Sequence, residues 1–94
     1  MTQQRRRKVE RAKLYESPVY LELTKRLASN VRRVRVAKGW TQEEAAHHCG
    51  MPVRLLQGIE AGTNNVTLVT LARLVEGFSV DAQKLLAPTE DDEK

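Results

Sequence analysis

The sequence predicts an all-α domain of five helices, the first of them long, and three observations predict it. Aromatic residues make up only 4% of the 94 residues, too few for the aromatic and β-branched strands of a sandwich. Apolar residues recur at steps of three and four rather than two. Helix-start and helix-stop residues punctuate the chain five times, with no alternating pattern and no internal repeat between them.

The first helix opens at Ser17-Pro18, with Ser at the cap and Pro in the first turn, where its missing N–H does no harm. Tyr20, Leu23, Leu27, Val31 and Val34 form one stripe, and Gly39 stops the helix after Arg35 and Lys38 have placed cations at its C-terminal end. About 20 residues is long for so small a domain. Thr41 with Glu44 three residues later is a capping box, so Gln42 to Cys49 forms a short second helix ended by Gly50. Met51-Pro52 starts a third, which runs to about Ala61 and closes at Gly62. Thr63-Asn64-Asn65 is turn chemistry. Thr67 caps a fourth helix with Leu68, Leu71, Leu74, Val75 and Phe78 as its apolar face, and Asp81 caps a fifth carrying Leu85 and Leu86. On this reading residues 1–16 are a flexible basic arm, 17–87 the folded domain and 88–94 an acidic, disordered tail beginning at Pro88.

Charge is distributed unevenly. The net charge is +4, yet residues 1–38 hold 12 Lys and Arg against 3 Asp and Glu, whereas residues 39–94 hold 4 against 9. A basic N-terminal third containing Arg5-Arg6-Arg7-Lys8 suits a polyanion, with a solvated tail as the plain alternative. No apolar run approaches the roughly 18 residues that span a bilayer, and the basic N-terminus has no apolar stretch behind it to make a signal peptide. The single cysteine, Cys49, precludes an internal disulfide and fits the reducing cytoplasm. His47, His48 and Cys49 are adjacent on a helix and point about 100° apart, so no metal site is expected. Nothing resembles a nucleophile–base pair, a phosphate loop or paired catalytic carboxylates, so neither an enzyme nor a cofactor is expected.

The informative segment is Gly39 to Gly62, two short helices about a tight turn at Gly50-Met51, with the helical pair at about 41–61. Such a pair crosses steeply and lets the second helix project. Here the chain resembles the helix-turn-helix family of phage Cro and repressor proteins, the XRE-like regulators, whose lambda-repressor-like domain has five helices. The resemblance spans about Leu27 to Leu86. It rests on Val34-Arg35 with Lys38-Gly39, on Thr41-Gln42-Glu43-Glu44 and Ala46, on Gly50, Leu56, Ile59-Glu60 and Gly62, on Thr67-Leu68 with Leu71, and on Val80 to Leu86. It implies a sequence-specific transcriptional regulator of double-stranded DNA, acting as a homodimer, whose third helix enters the major groove. The dimer contact would lie on the last helix or on the extended first one. By the same resemblance Arg35 and Glu60 form a structural ion pair. Gln42 meets a phosphate, or else is an ordinary exposed residue. Val53, Arg54, Leu55 and Gly58 face base edges, with Gln57 beside them, and Thr63, Asn64 and Asn65 contact the DNA backbone. Antitoxins share this fold, so a module that docks a protein partner is the alternative, motivated by the apolar Val53 and Leu55.

The chain also departs from the family's pattern. Ala45 and Cys49 stand where the family usually has leucines, and Val66 where it has proline. The core under the second helix should therefore be thin, and Trp40, or else the turns before Leu27, is expected to fill it.

Overall fold

The computed structural model describes residues 13–89. The Ser17 hydroxyl accepts the Tyr20 N–H at 3.4 Å and starts helix α1, Pro18–Ala37. The Thr41 capping box is complete, its side chain accepting the Glu44 N–H while the Glu44 carboxylate accepts the Thr41 N–H, and that second bond holds Glu44 below the usual carboxylate range. It opens α2, Gln42–His48. Helix α3, Val53–Ala61, follows with Pro52 as its cap rather than its first residue. Helices α4, Leu68–Phe78, and α5, Ala82–Leu86, start at Thr67 and Asp81, whose side chains accept N–H groups of the first turn. Between α2 and α3, Gly50 has φ of +62°, a left-handed conformation that costs a side-chain-bearing residue energy and that sets the steep turn.

Helix α1 packs on α3 and α5, α2 on α3 and α4, and α4 on α5. Val31, Leu56, Ile59, Leu74, Phe78 and Leu85 are fully buried at the centre. The stripe on α1 enters the core only from Leu27 onward. Tyr20 is half-buried and Leu23 is 39% exposed, because the first two turns of α1 extend past the other helices. Leu68, expected on the apolar face of α4, is 80% exposed; the first turn of α4 stands clear of the core, which begins at Leu71 and Leu74.

The thin side of α2 is closed in two ways. The Trp40 ring stacks on His48 at 3.9 Å between centroids and lies 5.8 Å from Phe78. A deeper contact comes from α4, where a Cβ at Gly77 would lie 2.4 Å from the Cys49 sulfur and 2.7 Å from the Cys49 Cα. Small residues on α2 and at its C-cap (Ala45, Ala46 and Cys49, all buried) thus let backbone meet backbone where the family's leucines would hold the helices apart.

The ends of the domain differ from the sequence reading. Lys13 and Leu14 are helical and Tyr15 and Glu16 form a turn, so the last part of the expected arm is structured. Thr89, expected in the tail, is buried at 2% exposure. Helix α5 has only five residues, too few to persist alone, and α1 holds it: Asn30 Nδ2 donates to the Leu85 and Ala87 carbonyls at 3.0 and 2.9 Å.

Two substitutions test this packing by denaturant unfolding. Gly77→Ala will destabilise the domain by about 1–3 kcal/mol through overpacking against the Cys49 backbone, although alanine is the better helix former. Asn30→Ala will cost about 1–3 kcal/mol by orphaning two carbonyls. Burial also pushes the Cys49 thiol up to about 11 from 9.0. At pH 8 a thiol-alkylating reagent will therefore modify the native chain about a hundredfold more slowly than the unfolded one. Because the folded value is the higher one, stability is insensitive to this group below pH 9 and falls as the pH rises from 9 toward 11.

Candidate nucleic-acid interface

Helix α3 is oriented by one carboxylate. Glu60 sits on its inner side at 3% exposure, and Arg35 of α1 grips it with two hydrogen bonds, Nε to Oε2 at 2.7 Å and Nη2 to Oε1 at 3.0 Å. A third donor of Arg35, Nη1, reaches the Trp40 carbonyl at 3.0 Å. The paired guanidinium is held above its ordinary range by those bonds to Glu60. From α2, Gln42 Nε2 donates to Glu60 Oε1 at 3.3 Å, and Gln57 Nε2 in turn donates to Gln42 Oε1 at 3.4 Å. Arg32 donates to the Glu60 backbone carbonyl at 2.8 Å. One acidic side chain thereby joins α1, α2 and α3. Gln42 and Gln57 each keep an amide hydrogen for an outside acceptor.

Beside Glu60, on the side of α3 turned away from Leu56 and Ile59, lies an outer stripe of Arg54, Gln57 and Ala61, all exposed and spaced three and four apart. Arg54 has no hydrogen-bond or ion-pair partner among the described residues. Three residues expected to face outward do so only in part. Val53 and Leu55 are half-buried and pack against the core, because they flank Leu56 on a short helix whose inner face is wide. Gly58 lies under the Asn64 side chain, whose Oδ1 would be 2.5 Å from a Cβ placed there. Its lack of a side chain makes room for Asn64 of the α3–α4 loop.

That loop is tied down at both ends. The Thr63 N–H donates to the Gly58 carbonyl at 3.0 Å, and its hydroxyl reaches the same carbonyl at 3.3 Å. Asn65 Nδ2 donates to the Tyr15 hydroxyl at 3.3 Å, and the Tyr15 ring meets Tyr20 edge-to-face at 5.4 Å. The turn at Tyr15 and Glu16 therefore lies beside the loop. Arg5, Arg6, Arg7 and Lys8 themselves lie outside the described residues. Sequence reasoning missed Arg32 and Tyr15. Arg32 is one turn before Arg35 on the same face, a spacing that points to it; nothing local points to Tyr15.

Among the described residues no cluster of potential ligands could hold a metal ion, and no helix is long and apolar enough to cross a membrane.

Two short helices about a glycine turn, the second anchored on its inside and open on its outside, define a helix-turn-helix domain. The family model described as helix-turn-helix matches residues 31–85. A hypothetical transcription factor of Neisseria meningitidis is 34% identical over 76 residues, covering 81% of this chain and 72% of its own. An uncharacterized HTH-type transcriptional regulator of Sinorhizobium fredii, y4dJ, is 34% identical over 71 residues, covering 76% of this chain and 92% of its own. Among solved structures, the Neisseria factor NHTF superposes with a TM-score of 0.69 at 35% identity, over 73% of this chain and 79% of that one. The restriction-modification controller protein C.AhdI of Aeromonas hydrophila gives 0.63 at 29%, over 66% and 94%. The chain belongs to the XRE-type helix-turn-helix family, a family of transcription regulators and not of enzymes.

Removing Glu60 or its outer neighbour Arg32 will have unequal effects on unfolding. Glu60→Ala will cost about 3 kcal/mol, since it leaves Arg35 without its counter-charge. Arg32→Ala, at a side chain that is 57% exposed, will cost about 1 kcal/mol.

Proposed function

We propose that this regulator binds double-stranded DNA sequence-specifically by laying α3 in the major groove. The observation that carries the reading is the unpaired Arg54, exposed beside Gln57 on the outer stripe of a helix whose inner side is locked through Glu60. An α-helix fits the groove, about 12 Å wide, and an arginine can bond two acceptors of guanine there. Gln42 and the Thr63-Asn64-Asn65 loop supply phosphate contacts that set the register, and the exposed parts of Val53 and Leu55 meet thymine methyls. The run Arg5 to Lys8 adds binding that is indifferent to sequence, by displacing counterions from the backbone. A cytoplasmic homodimer would place two such helices on half-sites about 34 Å apart.

The second reading, a module that docks a protein partner, draws on different residues from those the sequence singled out. Val53 and Leu55 are half-buried, whereas Leu68 and Val69 on α4 are 80% and 65% exposed and Val19 on α1 is 64% exposed.

Selection of bound duplexes from a random pool, followed by anisotropy titrations at several salt concentrations, tests the first reading. Arg54→Ala will reduce the preference for the selected site by about 1–3 kcal/mol while leaving random-duplex affinity nearly unchanged. Changing Arg5, Arg6 and Arg7 to Ala will weaken binding to all duplexes alike and flatten the salt dependence. Absence of duplex binding at low salt, with a co-purifying protein instead, would favour the partner-docking reading.

A further inference from the structure

A basic groove is built without residues of α2 or α3. The groove, of about 480 Å³, runs between the C-terminal half of α1, the end of α4 and α5. Arg33, Lys38 and Lys84 line it, over an apolar floor that includes Val34, Phe78 and Val80. Arg33 and Lys84 have no acidic partner among the described residues. The Lys38 ammonium lies 5.2 Å from the centre of the Trp40 ring, a contact that satisfies no anion. Three cations converging on one groove repel one another unless an anion sits among them.

The described chain ends at this place. Ala87 and Pro88 form one wall of the groove, and Thr89, the next residue, is buried. The point from which the following residues start is therefore set at the groove's rim. Those residues are Glu90-Asp91-Asp92-Glu93, four carboxylates on a segment whose extended reach is about 13 Å. We infer that the Arg33–Lys38–Lys84 groove is the seat of this acidic segment, which neutralises the surface and closes it to phosphates. Individual exposed ion pairs are weak, so the seat depends on several carboxylates acting together and is sensitive to salt.

The consequence for nucleic acid rests on the DNA-binding reading above. An open groove would offer three cations to any duplex regardless of sequence, on a surface that α3 does not line. A filled one removes those three cations from competition with Arg54 on the outer stripe of α3, which raises the ratio of specific to random binding.

The seat is tested without DNA by placing a nitroxide at position 94 (Lys94→Cys) in the full chain, with Cys49 left in its buried place. The expected result is broadening of the Arg33, Lys38 and Val80 amide resonances at about 0.01 M salt, relieved at about 1 M, where the screening length falls to about 3 Å. The double variant Arg33→Gln/Lys84→Gln should relieve it equally. Broadening indifferent to both changes would show tethering alone and overturn the proposal. So would broadening that appears only between labelled and unlabelled copies, the sign of a partner's segment in the groove. In the duplex titrations, changing residues 90–93 to their amides should raise random-duplex affinity at low salt about tenfold and selected-site affinity less. An unchanged ratio would overturn the shielding role, and loss of all duplex binding by the parent chain would instead sink the DNA-binding reading while leaving the resonance result standing.

Discussion

The arrangement of the first three helices depends on a single buried carboxylate. Glu60 is placed where it can be reached from α1 by Arg35 and Arg32 and from α2 by Gln42. A buried ion pair contributes little net stability over an apolar pair of the same shape, because desolvation offsets the attraction. What it does supply is geometry. The guanidinium fork accepts the carboxylate in one plane, so α3 cannot rotate about its axis without breaking two bonds at once. An apolar contact at the same place would tolerate such rotation. The rotation of α3, and with it the direction in which Arg54 and Gln57 stand, is therefore defined, and the defining contact lies one turn along the helix from Gln57.

The second constraint is the close approach of α2 and α4. Leucines at the positions of Ala45 and Cys49 would supply core volume but keep the helices apart. The chain takes the other solution, with small residues on α2 and a glycine on α4, so that Gly77 rests against the Cys49 backbone. Trp40 then seals the outer edge of this contact against His48 and Phe78. Area lost from side chains is replaced by close backbone packing, and the thin core that the sequence suggested is a close one.

How much of this was legible in the sequence follows from how local each cause is. Four side-chain caps act within three residues of themselves, so Ser17, Thr41, Thr67 and Asp81 could be read directly, and with Met51-Pro52 they gave the five helices. The Arg35–Glu60 pair spans 25 positions and was readable only through the family resemblance. Features that depend on where distant segments meet were not readable: Asn30 bonded to the end of α5, Tyr15 bonded to Asn65, Gly58 under Asn64, and Thr89 buried beyond a proline that signals a stop. The outward positions of α3 were read too broadly for a related reason. A nine-residue helix with Leu56, Ile59 and Glu60 inside has an inner face wide enough to draw in Val53 and Leu55 on its flanks, and only the packing reveals how wide that face is.

This narrowing bears on how a DNA-binding reading has to work. With Val53, Leu55 and Gly58 partly withdrawn, base-edge hydrogen bonding rests on Arg54 and Gln57. Good bidentate contacts contribute about 1–3 kcal/mol of discrimination each, whereas specific sites are typically favoured over random DNA by about 4–10 kcal/mol. The two contacts of one α3 sum to about 2–6 kcal/mol, which falls short of that range or covers only its lower part. Doubling the contact set through a second copy brings the sum into range, and phosphate contacts from the α3–α4 loop add register without adding discrimination. Under that arithmetic the defect of a poorly equipped reading helix is met by assembly, and any cationic surface that binds duplexes indiscriminately works against it. A chain with few base contacts has more to gain than most from keeping its positive charge on the side where those contacts are made.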